Sequence, residues 1–363
     1  MPPDARTEQL LAHAREIGFD PVGVCRAGPA ATFPAYLSWL EETLRDGTCD
    51  GMSYLQRHCE ARRHPASVLP GVKSLVVVGL SYAVVNPSAA QTIATLLSGF
   101  GLVAEYARGL DYHDVLRAKL RQLAETHHSL FPDAKTRIAV DTAPLLEREF
   151  AVRAGLGRPG KNTMLINGQH GSRFFLGTLL STAELPETVC DPTLSFPDVF
   201  DSPERYSLCG TCQRCLDACP TGAIVTPYRL DARKCINYWS IEHPDNDIPP
   251  DIAARFGNRL FGCDACQSVC PFNWPKTTCL PNGLTSRSLR EQIETGMMSL
   301  AEIERLDESE FQRQFAGTPL ARLGLARLKR NASIVRENAK DSHKNMRFDP
   351  SEPQRYRNGH SAQ

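Results

Sequence analysis

Hydrophobic and polar residues alternate along residues 7–182 with two different periods. Apolar residues recur every three or four positions over about 7–17, 33–46, 111–128 and 144–154, and this spacing predicts amphipathic helices. Short apolar, β-branched runs predict strands, most of them buried on both faces of a sheet; they are Pro21–Cys25, Leu75–Leu80, Arg137–Val140 and Arg173–Leu180. Helices that alternate with strands predict an α/β (α+β) domain over residues 1–183, with helices layered on a sheet.

The rest of the chain divides into four further parts. Residues 184–208 contain four prolines and no periodicity, which predicts a linker or covering loop. Residues 209–285 hold a dense group of cysteines, and 286–339 show apolar residues at helical spacing. Residues 340–363 are polar and aperiodic, so we expect a disordered tail.

The composition is that of an ordinary globular protein, with 42% hydrophobic residues, 23% charged residues and a formal net charge of +0. A neutral chain does not bind nucleic acid with its whole surface, although a local basic face stays open. The longest strongly apolar stretch, 74–85, is shorter than the roughly 20 residues that cross a membrane. No signal core opens the sequence, so we expect a cytoplasmic protein. Disulfides are rare in that compartment, and clustered cysteines therefore indicate metal or redox chemistry.

Eight of the thirteen cysteines lie between Cys209 and Cys270. The first four form C-x2-C-x2-C-x3-C before Pro220, the ferredoxin run in which three thiolates bind one 4Fe–4S cluster and the fourth binds another. A second run, C-x2-C-x3-C before Pro271, lacks one cysteine, and Cys235 supplies it. The predicted ligands are Cys209, Cys212, Cys215 and Cys270 for cluster I and Cys219, Cys235, Cys263 and Cys266 for cluster II. Zinc is the alternative, because C-x2-C pairs also build zinc sites, but the repeated C-x3-C-P ending favours iron–sulfur.

Polar residues gather at three places in the N-terminal part. Asp141 follows a predicted strand at the kind of edge where α/β sheets bind ligands; it could donate a proton or simply favour a helix N-terminus. The glycine-rich segment 155–163 fits either a ligand-binding loop or a tight turn. Asp111 and His113 enter a helix, where such residues more often cap or face solvent than bind a metal.

A basic segment lies near the end of the predicted helical region. Between Arg313 and Arg330 the chain has five basic residues and no acid. Such a segment could neutralise phosphates or could form a solvated helix face, and the spacing does not decide between the two.

Together these segments resemble the epoxyqueuosine reductase family over almost the whole chain. The resembling stretches are EIGFDPVGV near residue 16, GMSYLQRHCEARRHP at 51–65, YARGLDYHDVLRAKL at 106–120, DTAPLLEREFAVRAGLG at 141–157, GKNTMLIN at 160–167, SRFFLGTLL at 172–180, the cysteine runs, and FAGTPLARLGLARLKRNA at 315–332. Arg158-Pro159 departs from the family, which usually has an aromatic–aliphatic pair there, and the C-terminal helical region is short.

The resemblance implies an enzyme that reduces the epoxide of epoxyqueuosine in tRNA. It implies cobalamin without a protein ligand to cobalt, and electrons that pass through two 4Fe–4S clusters from an unidentified low-potential donor. Asp141 matches the family's proton donor, and a carboxyl group held neutral by burial could give that proton. The positions that match cobalamin contacts are Arg62, Tyr106, Lys161, Asn162, Thr163, Leu165, Asn237 and Asp264; those expected against tRNA are Arg322, Arg327, Lys329, Arg330 and Asn331. Nothing in the sequence demands more than a monomer.

Two other functions fit parts of the sequence. A corrinoid reductive dehalogenase would share the cobalamin and cluster regions, but it predicts an export signal and no basic helical end. A ferredoxin-type electron carrier would bind the clusters alone and would not need the long segment ahead of them.

Overall fold

The computed structural model describes residues 3–47, 49–82, 99–188, 199, 202–273 and 296–345. In the N-terminal part the helices are α1 (Pro3–Glu16), α2 (Phe33–Leu44), α3 (Tyr112–Leu130) and α4 (Glu147–Arg153). The strands there are β1 (Val22–Arg26), β2 (Ser74–Ser81), β3 (Phe100–Val103), β4 (Thr136–Ala139), β5 (Arg158–Pro159), β6 (Leu165–Ile166) and β7 (Phe174–Ser181). The four predicted helices and four predicted strands of this part are confirmed, each within a few residues.

The four longer predicted strands form one sheet in the order β1-β2-β7-β4. All of its neighbouring strands are antiparallel, so the domain belongs to the α+β class rather than the α/β class. The central strands β2 and β7 are buried along almost their whole length because helices cover both faces of the sheet. Alternate residues of β2 enter opposite cores: Val76 and Val78 pack with α1 and α3, and Leu75 and Val77 pack with α2 and α4.

The cysteine-rich part is built from short elements. They are α5 (Pro203–Tyr206), α6 (Arg214–Asp217), β8 (Ile224–Thr226), β9 (Arg229–Leu230), α7 (Pro250–Arg255), β10 (Arg259–Phe261) and α8 (Ala265–Ser268). A π-helical turn, Tyr238–Glu242, follows Cys235. Short helices with tight connections bring cysteines that are distant in sequence to the same end of the module, as two-cluster binding requires.

The C-terminal part is helical apart from one short strand that the sequence pattern did not predict. Its elements are β11 (Met297–Ser299), α9 (Leu300–Arg305), α10 (Glu308–Phe315), α11 (Pro319–Leu323) and α12 (Leu325–Asn345). Helix α12 continues to Asn345, so residues 340–345 are helical and the prediction of a disordered tail from 340 is wrong for them. The rest of the predicted tail, and residues 286–295, lie outside the described residues.

The three parts share a second sheet and two hydrophobic cores. Strand β3 pairs in parallel with β10 of the cysteine-rich part and antiparallel with β11 of the C-terminal part. One core combines Val103 with Phe261 and the C-terminal helices. Another combines Trp39 near the N-terminus with Trp239 of the cysteine-rich part. Within the described residues, no helix has the length and apolar composition needed to span a lipid bilayer.

Candidate active site

Asp141 lies in the loop that follows β4, at the open side of the N-terminal domain. Its backbone has a φ of 50°, in the left-handed region that few residues other than glycine adopt. The carboxylate oxygen Oδ2 accepts hydrogen bonds from the hydroxyl of Tyr112 at 2.9 Å and from Nε2 of His113 at 3.0 Å. Helix α4 begins six residues later, at Glu147, so Asp141 does not serve as the acid of a helix N-terminus.

The side chains behind Asp141 form a continuous hydrogen-bonded chain. His113 is buried, and its Nδ1 lies 2.7 Å from Oδ1 of Asp111. The other oxygen of Asp111 pairs with Nη2 of Arg322 at 2.8 Å. Asp111 also caps α3 by accepting the backbone N–H of His113. The predicted capping role of Asp111 is therefore confirmed. The prediction that His113 faces solvent is wrong, because the fold places its ring against Asp141.

An aromatic stack holds this group in place. The Tyr112 ring lies 4.0 Å from the His113 ring and 4.2 Å from the Phe175 ring, measured between centroids. Phe175 belongs to the central strand β7, so the sheet fixes the orientation of both polar rings. The Tyr112 ring packs face to face with Phe175 of a rigid strand, and the His113 ring packs on Tyr112. Both polar rings therefore have little rotational freedom, which preorganises their hydrogen bonds to Asp141.

The pKa of Asp141 is lowered, chiefly by the hydrogen bond from His113; burial acts in the opposite direction, and the Tyr112 hydroxyl adds to the lowering. A carboxyl group with a lowered pKa is ionised at neutral pH. The expectation that burial holds Asp141 neutral is therefore wrong for this structure, because the sequence did not show that two hydrogen-bond donors converge on one carboxylate oxygen.

Glu147 is the carboxyl group of this site that stays neutral. Its Oε1 accepts the backbone N–H of Asp141 at 2.9 Å. Burial raises the pKa of Glu147 to about 8, and the negative charge of Asp141 raises it further, while Arg148 and Arg62 oppose the shift. The sequence offered only an acid in a helix at this position, so this role could not be predicted.

From the exposure and charges of the residues around Asp141 we infer a depression in front of it. Tyr54 is 42% exposed, yet burial raises its pKa to about 12, and the charges of Glu242 and Asp141 add to this effect. Water reaches the Tyr54 side chain although protein atoms surround it, and a side chain in that situation lies on a concave surface. Burial also raises the pKa of Tyr106, with further contributions from Asp264, Glu242 and Asp141. Side chains from well-separated parts of the chain therefore face one depression, which is the usual form of a cofactor or substrate site.

The electrostatic neighbours of the predicted cluster ligands agree with the grouping of Cys270, whereas Cys266 is also acted on by Cys215, so the full assignment stays a prediction. Burial raises the pKa of Cys270, and among the other causes are the nearby thiols of Cys209 and Cys212. Burial likewise raises the pKa of Cys266, followed by the effects of Cys263 and Cys235. Cys270 thus lies with the first run despite its position in the second, as the ferredoxin pattern predicts.

The spacing of these sulfur atoms fits iron–sulfur clusters better than zinc. Within the described residues, only His243, Asp245 and Asp247 form a group of three or more such ligands whose atoms all lie within 4.8 Å of one another. No three of the eight sulfur atoms meet that limit, whereas four sulfurs about 2.3 Å from one zinc ion would lie well inside it. Backbone N–H groups also point at the sulfurs, for example from Ala223 to Sγ of Cys219 at 3.2 Å. Such donors stabilise cluster thiolates.

The loop 160–163 contacts the cysteine module rather than the depression. The ammonium group of Lys161 donates to the carbonyls of Gly210 and Cys212, at 2.7 and 2.9 Å, and its own backbone N–H lies 3.5 Å from Sγ of Cys209. The amide of Asn162 donates to the carbonyl of Cys266 at 3.4 Å. Both side chains are buried in these contacts, and their predicted contact with cobalamin stays a prediction.

Two further residues of this segment have distinct positions. Leu165 is buried in the hydrophobic core between the sheet and α4, and its predicted contact with cobalamin stays a prediction. Thr163 has a φ of 65°, and its carbonyl accepts a hydrogen bond from Arg148, whose charge also acts on Glu147. The remaining prediction for Thr163 stays a prediction.

Of the remaining predicted cofactor contacts, Tyr106, Asn237 and Asp264 lie near Cys263, and Arg62 lies apart from them. Oδ2 of Asp264 accepts the backbone N–H of Glu105 at 2.8 Å, and burial raises the pKa of Asp264. Gly262 has a φ of 71°, and a Cβ there would come within 2.8 Å of the Ala104 side chain and 3.3 Å of both Asn237 and Tyr106. Only glycine therefore fits between these side chains. Arg62 lies over the Tyr36 ring, and its charge reaches Glu147.

Most of the predicted tRNA contacts hold the C-terminal helices to the rest of the protein. Asn331 is fully buried, and its amide donates to the carbonyls of Ser240 and Leu260, so its predicted contact with tRNA is wrong. Arg327 donates to the carbonyl of Ile241 at 2.8 Å, and Arg330 to that of Trp239 at 2.8 Å. These guanidinium groups neutralise the ends of the π-helical turn instead of lying free in solvent.

Arg322 and Lys329 differ from the other members of the basic segment. Arg322 is 50% exposed and pairs with Asp111, so it lies beside the candidate active site. Lys329 is half-buried, and within the described residues it has no ion pair or side-chain hydrogen bond. Their predicted tRNA contact stays a prediction.

The fold and the site define the class of the protein. An α+β domain with an acid–histidine site, joined to eight cysteines in the ferredoxin arrangement, is typical of an iron–sulfur oxidoreductase. A family model described as a 4Fe-4S double cluster binding domain matches residues 208–273. A second model, described as epoxyqueuosine reductase QueG, DUF1730, matches residues 62–142.

Whole-chain comparisons agree with these matches. The epoxyqueuosine reductase of Pseudomonas aeruginosa is 38% identical over 340 residues, which cover 93% of this chain and 87% of that protein. The epoxyqueuosine reductase of Escherichia coli is 34% identical over 324 residues, covering 89% of this chain and 79% of that protein. The chain therefore belongs to the epoxyqueuosine reductase family, and it is an oxidoreductase with a double 4Fe–4S cluster domain.

Solved structures of such enzymes have the same fold. A crystal structure of an epoxyqueuosine reductase with an epoxyqueuosine-modified tRNA-Tyr stem loop matches with a TM-score of 0.73 and 30% identity, covering 93% of this chain and 82% of that one. The Bacillus subtilis enzyme, captured with an aspartate-bearing catalytic loop swung out of the active site, matches with a TM-score of 0.75 and 29% identity, covering 94% and 86%.

Proposed function

We propose that the protein reduces the epoxide of epoxyqueuosine in tRNA to the alkene of queuosine. The observation that carries the proposal is Asp141, an accessible carboxylate bonded to His113 and Tyr112, in a chain that also holds ligands for two clusters. Its family membership supports the same reaction. Conversion of an epoxide to an alkene and water takes two electrons and two protons, so one site must receive both.

The clusters and a cobalamin would supply the electrons. The two groups of four cysteines named above would hold the clusters, and cobalamin, when bound and reduced, would provide the electrons that break the carbon–oxygen bond. The predicted contacts of cobalamin are Arg62, Tyr106, Lys161, Asn162, Thr163, Leu165, Asn237 and Asp264. The depression, with its charged and hydroxyl-bearing side chains, fits a large polar cofactor. His113 has both ring nitrogens hydrogen-bonded, so it is not free to ligate cobalt.

Residues of the chain itself supply the proton that the epoxide oxygen receives. Asp141, ionised at rest, takes up a proton and passes it to the epoxide oxygen as negative charge develops there, which makes the oxygen a better leaving group. Its side chain is 59% exposed, so a nucleotide can reach it from solvent. Glu147 holds the backbone of Asp141 through the hydrogen bond to its N–H, and because it is neutral it adds no second negative charge to the site.

The proposal extends to the substrate and the electron donor. One related structure contains an epoxyqueuosine-modified tRNA stem loop. We infer that tRNA approaches the mouth of the depression, where Arg322 and Lys329 contact its phosphates. The electrons come from a low-potential one-electron donor, and the protein acts as a monomer in the cytoplasm.

An Asp141→Asn variant tests the proposed reaction. Asparagine keeps the size of the side chain but cannot deliver the proton, so the rate of epoxide reduction should fall about 10²- to 10⁴-fold. The measurement is anaerobic turnover of epoxyqueuosine tRNA, followed by mass spectrometry of the nucleosides. Iron, sulfide and corrinoid contents should stay at wild-type levels.

The matched control is Asp114→Asn, because Asp114 is an exposed acid on the adjacent helix that pairs with Arg117. This variant should react like the wild type. Full activity of Asp141→Asn would refute the role of Asp141. Absence of epoxide reduction by the wild-type protein, loaded with clusters and cobalamin, would refute the proposed reaction itself.

A further inference from the structure

The buried group behind Asp141 has more polar contacts than are needed to hold one loop. Nε2 of His113 faces Asp141 at 3.0 Å, and Nδ1 faces Asp111 at 2.7 Å. Arg322 pairs with the second oxygen of Asp111 at 2.8 Å and approaches Nε2 of His113 to 3.3 Å. The side chains of His113 and Asp111 are only 4% and 8% exposed, whereas Asp141 is largely exposed. A buried polar chain therefore ends at an accessible carboxylate.

The partners of His113 keep a proton at each end of the ring. Both ring nitrogens face carboxyl oxygens, so each contact needs one proton, either on the nitrogen or on the facing oxygen. With the proton on Nε2, the imidazolium and the Arg322 guanidinium balance the two carboxylates. Buried charges are stable only when they are paired in this way.

We propose that His113 is a positioning residue that supplies Asp141 with the proton used in the reaction, an inference that rests on the proposed function. The N–H bond at Nε2 of His113 breaks as an O–H bond forms at Oδ2 of Asp141, and that O–H bond then breaks as an O–H bond forms at the epoxide oxygen. No electrons change hands in this step. Asp111 stabilises the proton on Nδ1 and holds the ring orientation, and the neutral imidazole regains a proton from water.

The other groups that touch Asp141 do not fit this role. The Tyr112 hydroxyl donates to the same oxygen, but burial, followed by the charge of Asp141, raises its pKa strongly and makes it a poor acid. Glu147 carries a proton at neutral pH, but its carboxyl group bonds the backbone N–H of Asp141 rather than the side chain. His113 alone combines a direct contact with Oδ2 and a second partner that retains the ring.

A His113→Gln variant tests the proposal. Glutamine keeps a polar side chain of similar length but cannot relay a proton, so kcat should fall about 100-fold, while KM for the tRNA stays within about threefold. Cluster and corrinoid spectra should not change. The matched control is His128→Gln, because His128 is an exposed histidine on the same helix that bonds only its own helix backbone. This control should keep wild-type kcat.

The pH profile separates a proton relay from a structural role. In the wild type, kcat should fall as the pH rises, because the relay works only while His113 can donate a proton, and this fall should be absent in His113→Gln. The charged and titratable groups facing His113 are Asp111 and Tyr112 at the start of α3, Asp141 after β4 and Arg322 on α11, with Glu147 behind Asp141. Imidazole added to His113→Ala should restore part of kcat.

A second variant guards against misfolding. Asp111→Asn keeps the helix cap, since asparagine caps as well as aspartate, but it removes the charge that retains the proton on His113. It should lower kcat about tenfold without changing KM. The proposal is overturned if His113→Gln keeps kcat within twofold of the wild type. It is also overturned if the pH profile of that variant matches the wild type and imidazole restores nothing. Loss of turnover in Asp141→Asn alongside an active His113→Gln would leave the proposed reaction standing and remove only the relay.

Discussion

Two carboxyl groups six residues apart, Asp141 and Glu147, have opposite charge states at neutral pH. The pKa of Asp141 is lowered first by the hydrogen bond from His113, and that of Glu147 is raised to about 8, first by burial. One ionised and one neutral carboxyl is an arrangement that suits proton transfer. The sequence placed Asp141 through its resemblance to a family, but its charge state depends on His113, 28 residues earlier, and no local pattern shows that contact.

The raised pKa of Glu147 has a consequence for stability. A carboxyl group whose pKa is higher in the folded state stabilises the fold fully below its unfolded value of 4.5, and this contribution is lost as the pH rises to about 8. Glu147→Gln keeps the acceptor for the Asp141 N–H but cannot ionise. Its melting temperature should therefore rise relative to the wild type as the pH increases through this window.

Anaerobic thermal unfolding at a series of pH values measures that difference. Glu302→Gln serves as the control, because Glu302 is exposed in the first turn of α9 and should show no such trend. A constant difference between Glu147→Gln and the wild type from pH 5 to pH 9 would contradict the neutral state of Glu147.

At the level of elements, the spacing of apolar residues predicted the longer helices and strands. Strand direction and the short strands depend on long-range contacts. The runs at β1, β2, β4 and β7 are strands as expected, since apolar β-branched segments favour a buried sheet. Their antiparallel order could not be predicted, because strand direction depends on how the connections cross the sheet. The short strands β3, β10 and β11 were missed, since strands of three or four residues carry too little pattern and gain their stability from one another.

The basic segment of α11 and α12 shows the same limit. Spacing alone left it open whether these residues face phosphate or form a helix face, and the structure gives a third answer for Asn331. Its amide joins the π-helical turn to β10 by donating to the carbonyls of Ser240 and Leu260. The buried Asn331 thus holds its helix to the π-helical turn and to β10, and we call this pair of hydrogen bonds the tie.

Asn331→Ala should lower the free energy of unfolding by about 2–4 kcal/mol, because it removes two buried hydrogen bonds and leaves two carbonyls without a donor. Denaturant titration monitored by circular dichroism measures this change. Ser333→Ala, an exposed position on the same helix, should stay within about 0.5 kcal/mol of the wild type. A loss below about 1 kcal/mol for Asn331→Ala would mean that the tie contributes little.

Across the whole molecule, the three predicted parts are joined too closely to be independent units. Strands from all three form the second sheet, and two hydrophobic cores contain residues from more than one part. Lys161 and Asn162 also bond the loops that carry the ligands of clusters I and II. The order of segments along the sequence predicted the division of the chain into these parts. It did not predict the shared sheet and shared cores, because these depend on contacts between distant residues.

Because the parts share cores, removal of the clusters should destabilise the entire described fold. Metal binding to a folded site adds its free energy to folding, so cluster-free protein should melt about 10 °C or more below the loaded protein, in one transition. Anaerobic calorimetry before and after iron chelation measures the shift. Cys266→Ser, which removes a predicted ligand of cluster II, should show part of the same loss, whereas Cys59→Ser changes a cysteine outside both ligand groups and should not.

If the N-terminal sheet, followed by circular dichroism, melted at the same temperature with and without clusters, the shared cores would not couple the parts. The cysteine module would then act as an attached electron carrier rather than as a structural part of the enzyme.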